Sequence, residues 1–458
     1  MSISIIFAAI LAIALAGYVL ARQRAVALAG VGPTHSRPSH HGTHALLWVL
    51  IVALGFTVLW LVVEPIVAEW VLVDALPQAD QGLPADRLGL LIDDIKNHAT
   101  GAIVSQPLSP EQQAAADVYG NFRQIARWVL TAVALVLALG ALWRSYTKVT
   151  AEYRARNVSE GIFKVIMIVA STIAVITTFG IVLSLIFETL RFFEHVPVFE
   201  FLFGLEWSPQ TAMRADQVGS SGAFGAVPLI AGTMLVSAIA LIVAVPIGLF
   251  AAIYTSEYAG PRTRAMVKPV LEVLAGIPTV VYGFFAALTV APLLRDAGAA
   301  IGLDVAAESA LAAGVVMGIM IIPFVSSLSD DVMNAVPQTL RDGSYALGAT
   351  KSETIRQVVL PAALPGIVGA VLLAASRAIG ETMIVVMAAG LAANLTINPL
   401  ESVTTVTVQI KTLLTGDQEF DSAKTLAAFA LGLLLFVITL AINFFALRIV
   451  QKYREKYD

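Results

Sequence analysis

The chain contains no cysteine, which excludes disulfides, thiolate zinc sites, iron–sulfur clusters and cysteine nucleophiles, and leaves the compartment open. Charge is scarce as well. Only 13% of the 458 residues are Asp, Glu, Lys or Arg, against about 25% in a soluble domain. No lysine follows a glycine anywhere in the sequence, so the G-x-x-x-x-G-K-[ST] phosphate cradle is missing and the chain has no P-loop with which to hydrolyse ATP. No repeat of fixed period and no low-complexity tract is present.

What fills the chain instead is apolar. Hydrophobic residues make up 58% of it and the mean hydropathy is +0.83, more apolar surface than a soluble fold hides. A membrane-spanning helix needs about 20 apolar residues. Nine runs approach that length, near 3–21, 45–66, 128–143, 165–188, 226–254, 270–294, 309–327, 365–390 and 425–447. The expected fold is therefore all-α, a polytopic transmembrane helical bundle of about nine spans. The first run has no basic residue before it and is not read as a signal peptide; Arg22 and Arg24 follow it instead. With the C-terminus inside, 18 of the 28 lysines and arginines fall in inside segments and 9 in outside ones, the bias expected of cytoplasmic loops. That arrangement puts the N-terminus outside.

The pattern divides near residue 150. Residues 1–150 hold three spans and an acidic, loop-like segment, DALPQADQGLPADRLGLLIDDIKNHATG, expected outside. Residues 151–458 hold six spans with longer, patterned loops.

One charged pair stands inside an apolar run. ASRAIGET, Ala375 to Thr382, lies between PGIVGAVLLA and MIVVMAAGLA. A helix through it would put Arg377 and Glu381 on one face, at an insertion cost of about 3 kcal/mol for each charge near the bilayer centre. A structural ion pair is one reading, weakened because Arg before Glu is the poorer order at i,i+4. The other is a translocation path, where intramembrane charges usually face. A planar guanidinium suits a hydrated oxyanion, so Arg377 is expected on the path with Glu381 positioning it, and Ser376 and Thr382 either adding donors or packing helices. GIPTVVYG (Gly276 to Gly283) puts a proline in a span. It predicts a kink, with Thr279 and Tyr282 as path candidates or packing residues.

Elsewhere the plainer readings are preferred. Phe192, Phe193, Val196, Phe199, Phe201, Leu202, Phe203 and Trp207 read as an interfacial belt. His35, His40, His41 and His44, among Pro, Gly and Ser, read as a solvated linker rather than a metal site. No cofactor or metal set is expected. The inside stretch 328–364 is long for a loop: Val332, Val336 and Leu340 repeat at helical spacing, Gly348 suits a helix end, and Thr350 or Ser352 suits an N-cap for a second short helix that Pro361 ends. Two short amphipathic helices around a glycine would form a docking platform.

That loop resembles the EAA loop of ABC-importer permeases. Asp342-Gly343-Ser344 stands where many members have Glu-Ala-Ala, while Gly348, Val358, Leu360 and Pro361 follow the family spacing. TSEYAGPRTRAMVKPVLEVLAGIPTVVYGFFA, SRAIGET, FEFLFGLEWSP and FGAVPLIAGT are similar to the phosphate-specific permeases of PstC type, over roughly 160–458. The resemblance implies a coupling helix carrying Asp342, Gly343, Ser344, Ala346, Gly348, Ala349, Leu360 and Pro361. It also implies a multi-pass bacterial plasma (inner) membrane location and alternating-access import of inorganic phosphate. The implied partners are a second permease (PstA-like), an ATPase dimer (PstB-like) and a periplasmic phosphate-binding protein (PstS-like), with no nucleic acid. Two alternatives stay open: an ABC permease for another oxyanion, or an ion-coupled secondary transporter, which would show related halves and no docking loop. An enzyme is not expected, since no span carries a nucleophile, base or metal set.

Overall fold

A computed structural model describes residues 3–101, 108–211, 221–415 and 422–453. Among the described residues, nine helices are long and apolar enough to cross a membrane. The architecture is an all-α bundle with a single two-stranded hairpin. The chain forms two compact units, Met1–Ile176 and Thr177–Asp458.

The first unit contains α1 (Ile3–Ala29), α2 (Pro38–Ala75), α3 (Gln78–Gln81), α4 (Ala85–Thr100), α5 (Pro110–Thr147) and the start of α6 (Ala155–Phe193). Its core is built from α1, α2 and α5 and is rich in alanine: Ala14, Ala53, Ala134, Ala138 and Ala141 join Ile6, Ile10, Val49 and Leu130. Small side chains let helix backbones approach closely where lipid gives no hydrophobic drive to associate. The segment read as loop-like is largely helical. Leu88, Leu91, Ile92 and Ile95 fall at helical spacing, and Ile92 and Ile95 are buried against Leu72, Leu76, Ala115, Ala116 and Tyr119. Its acidic composition masks that period. Ser109 then starts α5 with a capping box to Gln112.

The histidine stretch is not a solvated linker. α2 begins at Pro38, and His41 and His44 are 2% and 5% exposed. The Tyr153 hydroxyl lies 2.9 Å from His44 Nε2. No group of three or more His, Cys, Asp or Glu suited to a metal occurs among the described residues.

The second unit continues with α7 (Val198–Phe203), the antiparallel strands β1 (Trp207–Thr211) and β2 (Ser221–Phe224), α8 (Val227–Ile253), α9 (Pro261–Gly276), α10 (Thr279–Phe285), α11 (Ala291–Ala300), α12 (Ala310–Asn334), α13 (Gln338–Ala346), α14 (Lys351–Thr354), α15 (Leu360–Ile379), α16 (Met383–Ala388), α17 (Val406–Leu413) and α18 (Ala423–Tyr453). α12 is the most buried span and packs along α8. A Cβ on Gly314 or Gly318 would meet Ile239 or Val243 at 2.7–2.8 Å, so these two glycines set how closely the pair approaches.

The aromatic stretch divides between core and surface, which corrects the belt reading. Phe192, Phe201, Trp207 and Phe224 are buried in one edge-to-face cluster, and Trp207 Nε1 donates to Gln409 Oε1 at 3.0 Å. Only Phe199 and Phe203 keep large exposed rings at its outer edge.

Candidate functional site

Among the described residues of the second unit are three π turns, Tyr254–Tyr258, which closes α8, and Ala286–Val290 and Ile355–Val359, which interrupt helices. The last two stand just before Pro292 and Pro361. A proline removes one ladder hydrogen bond and its ring collides with the carbonyl four residues back; widening the preceding turn relieves both. Pro361 therefore ends nothing. Lys351–Ile379 is one continuous span of 29 residues, where two separate helices were expected. Thr350 does cap it, in a reciprocal box with Glu353, and Gly348 has a φ of +82° between α13 and that cap, as a turn there requires.

The same span corrects the reading of ASRAIGET. The helix stops at Ile379, and α16 starts at Met383, so Arg377 and Glu381 do not share a helix face. Arg377 stands in the last turn of α15, where a cation complements the helix dipole. Glu381 caps the next helix: its Oε1 accepts from the backbone N–H of Thr382 at 3.1 Å, Met383 at 3.0 Å and Ile384 at 3.5 Å. The order that is poor for an ion pair is the right one for a helix end followed by a helix start. Thr382 Oγ1 donates to the Gly380 carbonyl at 3.4 Å.

A second break replaces the kink expected at Pro278. α9 ends at Gly276 and α10 starts at Thr279, with Ile277 and Pro278 extended between them. Tyr282 is buried and its hydroxyl donates to the Leu274 carbonyl at 2.9 Å, supplying a donor to the open end of α9. The two breaks are neighbours. A Cβ on Gly283 would meet Met387 Sδ at 2.7 Å and the Met383 carbonyl at 3.1 Å, so α10 and α16 pack backbone to backbone.

Beside them lies a cavity of about 240 Å³ lined by Arg377 of α15, by Lys268, Leu271, Glu272 and Ala275 of α9, by Met320, Pro323, Phe324, Ser326, Ser327 and Asp330 of α12, and by Thr255. The Arg377 guanidinium is 5.8 Å from the Phe324 ring centroid, within cation–π range. Of the six residues expected on the path, Arg377 lines this cavity; Glu381, Thr382, Ser376, Thr279 and Tyr282 do not. The first two and Tyr282 hold the breaks that shape its surroundings.

Sequence reasoning missed the ion pairs at one end of the cavity. The Asp330 side chain is 5% exposed and binds Arg264 Nη2 at 3.0 Å and Lys268 Nζ at 3.5 Å; Thr255 Oγ1 lies 3.4 Å from it and shares its one hydrogen with the Ala251 and Ala252 carbonyls at 3.0 and 3.1 Å. Arg341 of α13 is also buried. It binds Glu257 Oε1 at 2.9 Å and donates to the carbonyls of Val336 at 2.6 Å and Met333 at 2.9 Å. The available signal was opposite charge, SEY and PRTR around the start of α9 against SDD at the end of α12 and LRD in α13. Which charges meet across the fold is not written in either stretch alone.

Residues 7–177 match the family described as phosphate ATP-binding cassette transporter, and residues 244–455 match the binding-protein-dependent transport system inner membrane component. The chain is 36% identical over 278 residues to the phosphate transport system permease protein PstC 1 of Mycobacterium tuberculosis, covering 55% of this chain and 81% of that one. It is 35% identical over 243 residues to the probable ABC transporter permease protein YqgH of Bacillus subtilis, covering 52% and 74%. A crystal structure of a bacterial alginate ABC transporter, in complex with an alginate pentasaccharide-bound periplasmic protein, includes a chain that is 17% identical with a TM-score of 0.44, covering 65% of this chain and 98% of that one. The chain belongs to the PstC family of phosphate transport system permeases, within the binding-protein-dependent inner membrane components. It is a multi-pass membrane protein of that class, and its relatives are permease subunits rather than enzymes.

Glu381→Gln keeps an acceptor oxygen at the α16 cap and is expected to leave thermal stability in detergent nearly unchanged. Glu381→Ala strands three N–H groups and is expected to cost about 1–2 kcal/mol, the range for a lost N-cap. Equal melting temperatures for Ala and Gln would show that the cap does not hold the break.

Proposed function

We propose that the chain is the membrane-spanning permease subunit of an ATP-driven importer of inorganic phosphate, working by alternating access, with its C-terminus cytoplasmic and its N-terminus outside. The observation that carries this reading is a run of contacts from α13 to the Arg377 cavity. Arg341 on α13 holds Glu257 in the π turn Tyr254–Tyr258. Two residues back in that turn, Thr255 contacts Asp330, which binds Lys268, and Thr255, Asp330 and Lys268 all line the cavity with Arg377.

The chemistry follows from the charges. An oxyanion meets Arg377 as a planar donor set, with Lys268 beside it and Ser326 and Ser327 as neutral donors. Asp330 competes with the anion for Lys268 and Arg264. Asp330 is buried while Arg264 and Lys268 are 36% and 41% exposed at the side chain, so solvent screens these pairs and Asp330 with its cations is a latch that an anion can open at modest cost. A pull on α13 reaches the latch through Arg341 and Glu257.

Nothing in this chain supplies the pull, since it has no P-loop. The names of its relatives, the expected coupling residues around Gly348 and the exposed tip support a separate ATPase subunit docking there. Tyr345 and Leu347 stand exposed at the end of α13, Leu347 at 91%, next to a polar cavity of about 470 Å³ lined by Glu257, Asn334, Arg341, Tyr345 and Lys351. A second permease and a periplasmic phosphate-binding protein complete the proposed assembly. Residues 1–150 are proposed as an accessory segment to the core at 151–458.

Three measurements test this. In cells lacking other phosphate importers, Arg377→Gln is expected to lower labelled-phosphate uptake at least tenfold while the subunits still co-purify, with Lys rescuing only in part; normal uptake by the Gln variant would remove Arg377 from the path. Because the chain has no native cysteine, single cysteines at Ala346 and Thr350 can be cross-linked cleanly. The product is expected to contain the ATPase subunit, and products confined to this chain would end the coupling assignment. A chain starting near Ala151, co-expressed with its partners, is expected to keep part of its uptake. Complete loss with normal assembly would place essential function in residues 1–150.

A further inference from the structure

The Arg377 cavity holds an acid that the transport reading leaves without a task. On α9 the lining residues Lys268, Leu271, Glu272 and Ala275 fall at i, i+3, i+4 and i+7, one face of a helix. Met266, Val270 and Val273 fall on the opposite face and are exposed. Glu272 therefore shares its face with Lys268, one turn or about 6 Å further along the axis.

The two acids of the cavity differ in what they hold. Asp330 binds Arg264 and Lys268. Glu272 has no cation within 4 Å among the described residues, and Arg377 has no carboxylate within that distance; its guanidinium lies over the Phe324 ring instead. An unpaired guanidinium and an unpaired carboxylate thus line one cavity without closing on each other.

An anion in this cavity meets both groups. Its oxygens suit Arg377, but an oxygen that faces the Glu272 carboxylate is one acceptor against another, and the two repel. A hydrogen between them reverses the sign, since an O–H···O⁻ bond is short and about twice as strong as a neutral one. Near neutral pH inorganic phosphate keeps at least one P–OH hydrogen, and sulfate keeps none. A site built to bond a substrate hydroxyl rejects an analogue that lacks it, because the site's own polar group is left unpaired. Asp330 is engaged by its two cations, and the Ser326 and Ser327 hydroxyls can donate to either anion. The discrimination falls to Glu272.

We propose that Glu272 is the specificity-determining residue of this cavity. It accepts a hydrogen bond from the substrate's own hydroxyl, so the site takes an oxyanion that carries a proton and turns away one that does not. The inference rests on the reading of the Arg377 cavity as part of the transport path.

The test uses the full chain purified in an uncharged detergent, with labelled phosphate and labelled sulfate measured separately by equilibrium dialysis at neutral pH. The parent is expected to prefer phosphate by about tenfold or more. Glu272→Gln puts an amide N–H donor where an acceptor stood. It should weaken phosphate, tighten sulfate and lower the preference by about tenfold or more, with the melting temperature of the unliganded protein unchanged. Arg377→Gln should weaken both anions and leave the preference within about threefold of the parent. A purely structural Glu272 would move both affinities together. An unchanged preference in Glu272→Gln, or equal binding of the two anions by the parent, would overturn the role of Glu272 and leave the cavity reading in place. Absence of saturable phosphate binding, or full binding by Arg377→Gln, would overturn the cavity as an anion site and this inference with it.

Discussion

Inside a bilayer a backbone N–H or C=O without a partner costs several kcal/mol, and the second unit depends on how it meets that cost at Gly380. The chain stops one helix at Ile379 and starts another at Met383, leaving the first amides of α16 without helical partners. A carboxylate answers three of them at once. The Glu381 backbone carbonyl is used as well, accepting from Thr407 Oγ1 at 2.8 Å. A neutral side chain would meet the hydrogen-bonding need in part. The charge adds a favourable interaction with the positive end of the helix, and Arg377 does the same at the negative end of α15. The pair of charges thus serves both ends of this break, a cation at the end of α15 and an anion at the start of α16.

The break at Pro278 is solved from the opposite side. There the group served is a carbonyl, that of Leu274, which accepts from the Tyr282 phenol at 2.9 Å and from the Ile277 N–H at 3.4 Å. Because Gly283 lets α10 approach α16 closely, the two irregular segments share one region. Irregular backbone at membrane depth is tolerated where protein or a polar cavity surrounds it, and the Arg377 cavity lies beside both. The breaks therefore give Arg377 a helix end to project from, clear of the i+4 ladder that would have tied it to Glu381 in a continuous helix.

The spans were legible because a long apolar run is a strong one-dimensional signal. Where helices end was much less so. In 365–390 the apolar run passes through Gly380 without a change of composition, and nothing in the local pattern separates a charged pair on one face from a cation at one helix end and an anion at the next start. The π turn before Pro361 has the same character: proline reads as a terminator, and relief by the preceding turn depends on packing. Burial of His41 and His44 beside Tyr153 joins residues more than a hundred positions apart, as does the contact of Trp207 with Gln409. Of the charged residues at the cavity, Arg377 stood out because it lay, with Glu381, inside a hydrophobic run. Asp330, Arg264, Lys268, Glu257 and Arg341 looked like ordinary loop charge, and their pairing became visible only when α9, α12 and α13 were brought together.

Of those five residues, Asp330, Glu257 and Arg341 are buried, and burial separates them from surface ion pairs, which contribute little; Arg264 and Lys268 are 36% and 41% exposed at the side chain. Arg341 and Glu257 are 10% and 8% exposed at the side chain. Each pair also ties elements that must move if the cavity is to open to one side and then the other. The π turn Tyr254–Tyr258 holds a residue of both networks, Thr255 toward Asp330 and Glu257 toward Arg341. A π turn is a wider, less regular stretch of helix, and this one closes α8 before extended backbone at Ala259, so it changes shape at lower cost than the α-helix before it. The arrangement places the π turn between a buried ion pair to Arg341 and a 3.4 Å hydroxyl contact to Asp330, where a displacement at α13 would be taken up by the turn and passed toward Asp330.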